Sequence, residues 1–276
     1  MISGLPRVVV THWVHPEVVA YLRQFSDPAV PDVGGVWTHA QLVGQVGDAE
    51  ALIACMADRV DDAFLDQCPR LRIVAATLKG YDNFDAAACA RRGVWLTIVP
   101  DTIIPPTAEL AVGLTLGITR RVGEADRVIR SDGYQGWRPR FYGSSLAGAT
   151  TGIIGMGDLG QAIAGMLRAF GTRIVYADPR PLPPEAAREM AAARLDLDAL
   201  VSTSDIIILT APLTAGTAGL LGTATLPPSR TGCSSTRGPC SLHTSAPRSM
   251  TSAARCRSNP PAKSARPSTE NDPPTR

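Results

Sequence analysis

The chain has 276 residues, 45% of them hydrophobic, and a formal net charge of +2. That length accommodates two domains of ordinary size, and the apolar content suffices for their cores. The near-neutral balance removes any bulk-charge argument for a nucleic-acid partner. The opening MISGLPRVVVTHWVHP shows neither the basic and apolar regions of a signal peptide nor a membrane span, so the expectation is a cytoplasmic protein with no membrane partner.

Taken in chain order, strand and helix signals alternate. Arg7 to Thr11 (RVVVT) is a β-branched run, and a helix follows Pro16. Ala51 to Cys55 and Leu71 to Ala76 are apolar runs of strand length, and Asp61 to Cys68 between them has helical spacing with an acidic start. Asp85 to Arg92 reads as helix and Val94 to Val99 as strand. Continuous apolar strands separated by helices predict a parallel sheet covered on both faces, a first domain spanning 1–102. A single long helix over Thr107 to Ile129 is predicted next, with Pro105 and Pro106 just before it. The loop Ser131 to Gly148 follows, with Trp137, Phe141 and Tyr142 in want of a partner surface.

A second alternating unit then begins: strand Thr151 to Ile154, helix Asp158 to Phe170, strand Arg173 to Ala177, helices at 185–193 and 197–201, and strand Asp205 to Leu209, which Pro212 ends. Another helix starts at Gly219 to Leu226. The fold class predicted is α/β, with two doubly wound parallel-sheet domains, the second (103–226) incomplete. From Pro227 to Arg276 the composition changes. These fifty residues hold ten Ser, nine Pro, six Thr, no Phe, Tyr or Trp, and eight Lys and Arg against two acids. So little apolar surface cannot offset ordering entropy, so a disordered tail is expected. Cys55, Cys68 and Cys89 read as small core residues, and Cys233, Cys240 and Cys256 with His243 lack the pair spacing of a zinc site; no metal is expected.

The turn after the strand TTGII reads Gly155-Met156-Gly157-Asp158-Leu159-Gly160. The pattern G-x-G-x-x-G is weak alone. Here it lies between a strand and a helix, and the next strand ends at Asp178, eighteen positions after Gly160, as the dinucleotide fingerprint requires. Gly155 serves the tight turn, Gly157 the approach of pyrophosphate, and Gly160 the close packing of helix on strand. Free N–H groups and the positive dipole end of the helix complete the phosphate site. Asp178 can accept both ribose hydroxyls of NAD and would repel the 2′-phosphate of NADP, although Arg180 two residues on softens that discrimination. The cofactor expected is NAD.

Thr77-Leu78-Lys79-Gly80-Tyr81-Asp82-Asn83-Phe84-Asp85, Pro106-Thr107-Ala108-Glu109 and Gly152 to Gly157 together resemble the D-2-hydroxyacid dehydrogenase family over about residues 5–226. Within it, LKGYDNFD, QGWRPRFYG (Gln135 to Gly143) and MADRV (Met56 to Val60) are most similar to the phosphite (phosphonate) dehydrogenases. The resemblance implies a cleft between the two domains, a homodimer and a small anionic substrate. It implies that Lys79 grips that substrate, and that Thr107 faces the nicotinamide side of the cleft. Trp137 and Tyr142 would reach the partner subunit or the site. The cofactor-binding set is then Thr107, Gly155, Gly157, Asp158, Leu159, Gly160, Asp178 and Pro212. The activity implied is NAD-dependent phosphite oxidation. The alternatives are a D-2-hydroxyacid dehydrogenase and a non-catalytic NAD-binding fragment.

After Leu226 the family's late Arg, acid and His motifs find no match. Arg237-Gly238 has no apolar strand before it, His243 has no acid in a plausible motif, and His12, His15 and His39 stand in the first domain. A reading frame shifted near residue 226 explains the tail's composition, with a genuine disordered tail as the rival, and either leaves the chain inactive.

Overall fold

Val9 and Val10 are fully buried and Val8 nearly so, with no alternation of polar and apolar residues. That is the signature of a strand covered on both faces by helices. The structure is a computed structural model and describes residues 4–35 and 37–222. The first domain runs β1 (Arg7–Val10), α1 (Pro16–Leu22), β2 (Asp27–Ala29), α2 (His39–Val46), β3 (Ala51–Ala54), α3 (Asp62–Asp66), β4 (Ile73–Ala76), α4 (Ala86–Arg91) and β5 (Trp95–Thr97). Its five strands are parallel in the order β2-β1-β3-β4-β5. The helix starts were encoded locally. The Asp61 side chain accepts the Phe64 N–H at 3.0 Å, and Asp85 accepts that of Ala88 at 2.8 Å. Thr38 and Gln41 form a reciprocal capping box on α2. The core gathers Leu52, Val60, Phe64, Val74 and Phe84 between sheet and helices.

Two of these elements escape the sequence pattern. Strand β2 is only Asp-Pro-Ala, and its register with Arg7, Val8 and Val9 comes from the neighbouring strand. Helix α2 is short, with only Leu42 and Val46 reaching the core, and its capping box is its clearest signal.

The expected single helix over 107–129 is two. Helix α5 (Ile104–Thr119) carries Pro105 and Pro106 in its first turn, and α6 (Val122–Ile129) follows a break at Arg121, which is left-handed at φ 55°. The cause is tertiary. A continuous helix would give the Thr119 carbonyl to the N–H four residues on, but the Ser144 N–H takes it at 2.9 Å. Arg121 then anchors the new helix by two hydrogen bonds to Glu124, at 3.1 and 2.6 Å. The guanidinium groups of Arg121 and Arg140 both lie over the Phe141 ring, 5.5 and 5.4 Å from its centre.

The second domain runs β6 (Thr150–Ile154), α7 (Asp158–Arg168), β7 (Arg173–Ala177), α8 (Pro184–Glu189), β8 (Ala192–Arg194), α9 (Leu197–Thr203) and β9 (Ile206–Leu209). Its parallel order is β8-β7-β6-β9. All five residues of β6 are buried. Helix α5 packs on α7 over Ile153, Ile163 and Leu167, so the helix leaving the first domain belongs to the core of the second. The helix expected at 185–193 ends early, and Ala192 to Arg194 pair with β7 instead. Residues 219–222 form turns and bends, while the rest of the helix expected there and the 227–276 tail, with Arg237, His243 and three cysteines, lie outside the described residues. Among those described, no helix is long and apolar enough to cross a membrane, and no group of three His, Cys, Asp or Glu could hold a metal ion.

Cys68 and Cys89 are buried as expected, while Cys55 is half-buried. Burial pushes the Cys68 thiol up to about 11, and burial with the nearby Asp85 and Asp62 carboxylates raises that of Cys89. At pH 8 only about a thousandth of Cys68 would be thiolate, the reactive form. Alkylation followed by peptide mapping is therefore expected to mark Cys55 ahead of Cys68 and Cys89. Equal labelling of all three would mean that the first domain opens on the labelling timescale.

Candidate functional site

Both sheets change direction beside their first strand. In the second domain the chain winds from β6 through β7 to β8 on one side and then crosses to β9 on the other. In such sheets the ends of helices and loops diverge at the switch and leave a crevice beyond the strand carboxyl ends, where ligands sit. The turn from β6 to α7 opens on that crevice. Gly155 has φ 92°, and a Cβ there would come within 2.6 Å of the Ala211 nitrogen. At Gly160 a Cβ would run into the Gly155 carbonyl oxygen. Gly157 differs, since a Cβ there would meet nothing within 4 Å, and no side chain caps the helix it precedes. The turn therefore leaves both space and unclaimed N–H groups at the start of α7, which suits the pyrophosphate of a dinucleotide.

Several residues hold this turn. The Asp178 carboxylate accepts the Met156 N–H and the Arg180 N–H, both at 2.8 Å. The Arg194 guanidinium donates to the carbonyls of Asp178 (3.1 and 2.9 Å) and Pro179 (3.0 Å). Thr210 Oγ1 donates to the Gly155 carbonyl at 2.5 Å, and Gln161 Nε2 to that of Met156 at 3.1 Å. Sequence reasoning missed Arg194, Thr210 and Gln161. Thr210 directly follows the run DIIIL and Gln161 the last glycine, which are the only local signals. Of the expected cofactor residues, Leu159 is half-buried against the second core, and Pro212 is exposed beside Ala211. Thr107 lies in the first turn of α5, where its hydroxyl donates to the Ile103 carbonyl at 2.6 Å.

The first domain contributes Lys79, from the loop after β4. Its ammonium lies 2.6 Å from Asp158 Oδ2. That ammonium, by hydrogen bond first and charge second, holds the Asp158 carboxyl below the usual carboxylate range. The Lys79 loop is tied down at its far end. Asn83 Nδ2 donates to the Asp58 carbonyl at 2.7 Å, and Asp58 Oδ2 accepts the Cys55 N–H at 2.6 Å and the Thr11 hydroxyl at 2.5 Å. The stretches MADRV and LKGYDNFD thus form one hydrogen-bonded unit at the end of the first sheet. His12 Nε2 faces Asp58 Oδ1 at 3.7 Å from the end of β1. Trp137 and Tyr142 are 85% and 80% exposed, and the structure does not bring them to this site. A cavity of about 600 Å³ opens near Tyr81, Trp95 and Ile98, on the edge of the first sheet and away from the glycine turn.

A parallel sheet with this switch, this turn and an acid ending the second strand defines a dinucleotide-binding domain. Comparison with known proteins narrows the class. Residues 112–232 match the model for the NAD binding domain of D-isomer specific 2-hydroxyacid dehydrogenases. The chain is 35% identical over 228 residues to a glyoxylate reductase of Thermococcus litoralis, covering 79% of this chain and 67% of the relative. It is 37% identical over 226 residues to a glyoxylate reductase of Aeropyrum pernix, covering 80% and 67%. A crystal structure described as a D-isomer specific 2-hydroxyacid dehydrogenase, NAD-binding, from Polaromonas sp. JS6 66 superposes with a TM-score of 0.73 at 31% identity, covering 82% of this chain and 72% of that one. The chain belongs to the D-isomer specific 2-hydroxyacid dehydrogenase family, and the match to its NAD-binding domain covers residues 112–232. It spans about two thirds of the length of the curated relatives it matches.

Proposed function

We propose that the chain carries the dinucleotide-binding and anion-gripping parts of an NAD-dependent dehydrogenase of small 2-hydroxy acids. The observation that carries this is the Gly155 to Gly160 turn, open at Gly157 and backed by Asp178. Bound NAD would supply the hydride acceptor. The first-turn N–H groups of α7 would hold its phosphates, Asp178 would select its ribose, and Thr107 would lie on the nicotinamide side. Lys79 would draw in the substrate carboxylate. The glyoxylate reductases among the relatives favour a 2-oxo or 2-hydroxy acid of that size. Phosphite oxidation is a second reading, supported by Lys79, a cation on a tethered loop, and by its likeness to the LKGYDNFD loop of phosphite dehydrogenases.

Turnover needs a second cation on the substrate and a positioned group that takes a proton in oxidation and gives one in reduction, and general acid–base groups are each worth about 10²–10⁴-fold. The family resemblance assigns those roles to residues after Leu226, where this sequence has no matching Arg, acid or His. The expected result is NAD binding without turnover. The test compares this chain with a version whose frame is restored after codon 226, using glyoxylate with NADH and phosphite with NAD, both followed at the NADH absorbance. Comparable rates would overturn the assignment of the catalytic groups. Glyoxylate turnover by the restored version alone supports the main reading, and phosphite turnover alone the second. A second copy of the chain is the proposed protein partner, with Trp137 and Tyr142 exposed to meet it.

A further inference from the structure

The contact between Lys79 and Asp158 joins residues 79 apart in sequence and ties the first domain to the first residue of α7. Asp158 stands where a dinucleotide's pyrophosphate is expected, beside the uncapped N–H groups that follow Gly157. A carboxylate at this position suits the helix dipole when the site is free. It is also a like charge next to the phosphates when they arrive. Coulomb repulsion there is only partly screened, because the helix start and the Gly155 turn displace water on one side. Lys79 removes that repulsion. Its ammonium is 2.6 Å from Asp158 Oδ2, although both side chains are substantially exposed and free to part.

We propose that Lys79, reaching across from the substrate domain, sets dinucleotide affinity by neutralising Asp158, which makes Asp158 a charge-sensing residue of the phosphate site. This rests on the reading that the chain binds NAD. It gives Lys79 two competing partners. A small anion that draws Lys79 away leaves the Asp158 charge facing the pyrophosphate, so occupancy of the substrate position weakens the hold on the cofactor. The first domain is thereby coupled to the second through one ion pair, without any rearrangement of either sheet.

The test is a double-mutant cycle on the full chain, with NAD affinity read by calorimetry and folding checked by circular dichroism. Lys79→Ala is expected to weaken NAD binding roughly fivefold at low salt, the scale of one partly screened unit charge, and less at high salt. Asp158→Asn should bind NAD at least as tightly as the parent. The decisive variant combines the two. With Asp158 neutral, Lys79 is no longer needed, so the double variant should return to within about twofold of the parent, and Lys79→Arg alone should resemble the parent. A double variant as weak as Lys79→Ala would overturn the proposal, since Lys79 would then act on the cofactor directly or on the fold. If neither the parent nor Asp158→Asn binds NAD, the dinucleotide reading fails and the proposal fails with it. Binding without the rescue leaves that reading standing and overturns only the ion-pair proposal.

Discussion

Replacing Gly155 by alanine is expected to abolish measurable NAD binding and to destabilise the second domain by about 2–4 kcal/mol, the combined scale of a left-handed non-glycine residue and a forced backbone shift. The residue has φ 92°, and the new Cβ would lie 2.6 Å from the Ala211 nitrogen and 2.8 Å from its Cα. Neither is the end of a flexible side chain, so the β9 exit or the turn itself must move. Either movement breaks the Thr210 hydroxyl contact with the Gly155 carbonyl and displaces the N–H groups that would meet the phosphates. Thermal unfolding and calorimetry on the variant provide the check. Full NAD affinity with an unchanged melting temperature would place the cofactor elsewhere.

Asp178→Ala is expected to reverse cofactor choice. The carboxylate accepts two backbone N–H groups, and Met156, whose N–H is one of them, is buried. Losing the carboxylate's charge-assisted hydrogen bonds to the ribose hydroxyls costs about 1.5–3 kcal/mol, so NAD affinity should fall roughly ten- to a hundredfold. Affinity for NADP should fall less or rise, because the repelling charge is gone and the cations of Arg180 and Arg194 remain close by. Parallel titrations with both cofactors measure the change. Equal losses for the two would restrict Asp178 to holding the turn. Tighter NADP than NAD binding in the parent would show that the arginines already dominate.

The alternating architecture was legible because buried parallel strands are continuous apolar runs, as in β4 and β9, and because Asp61 and Asp85 cap their helices through neighbours three residues away. Such signals depend on residues close along the chain. The glycine turn and Asp178 were legible for a related reason. A fixed strand–turn–helix–strand unit converts a spacing in sequence into a distance in space, and the carboxylate indeed reaches the Met156 N–H.

Sequence by itself therefore determined the fold class, the glycine turn and the acid behind it, since each follows from periodicity, spacing and backbone sterics within one supersecondary unit. Tertiary structure alone decided the rest. It broke the helix at Arg121, because Ser144 claims the Thr119 carbonyl from 25 residues downstream. It made strands of Asp27–Ala29 and Ala192–Arg194, which have no strand pattern and only partners. It brought Arg194 to the Asp178 and Pro179 carbonyls, and Lys79 to Asp158. Lys79 in the sequence is one exposed loop cation among many. Its place opposite the start of α7 arises from the way two domains, each with its own core, meet, and no local pattern encodes that meeting.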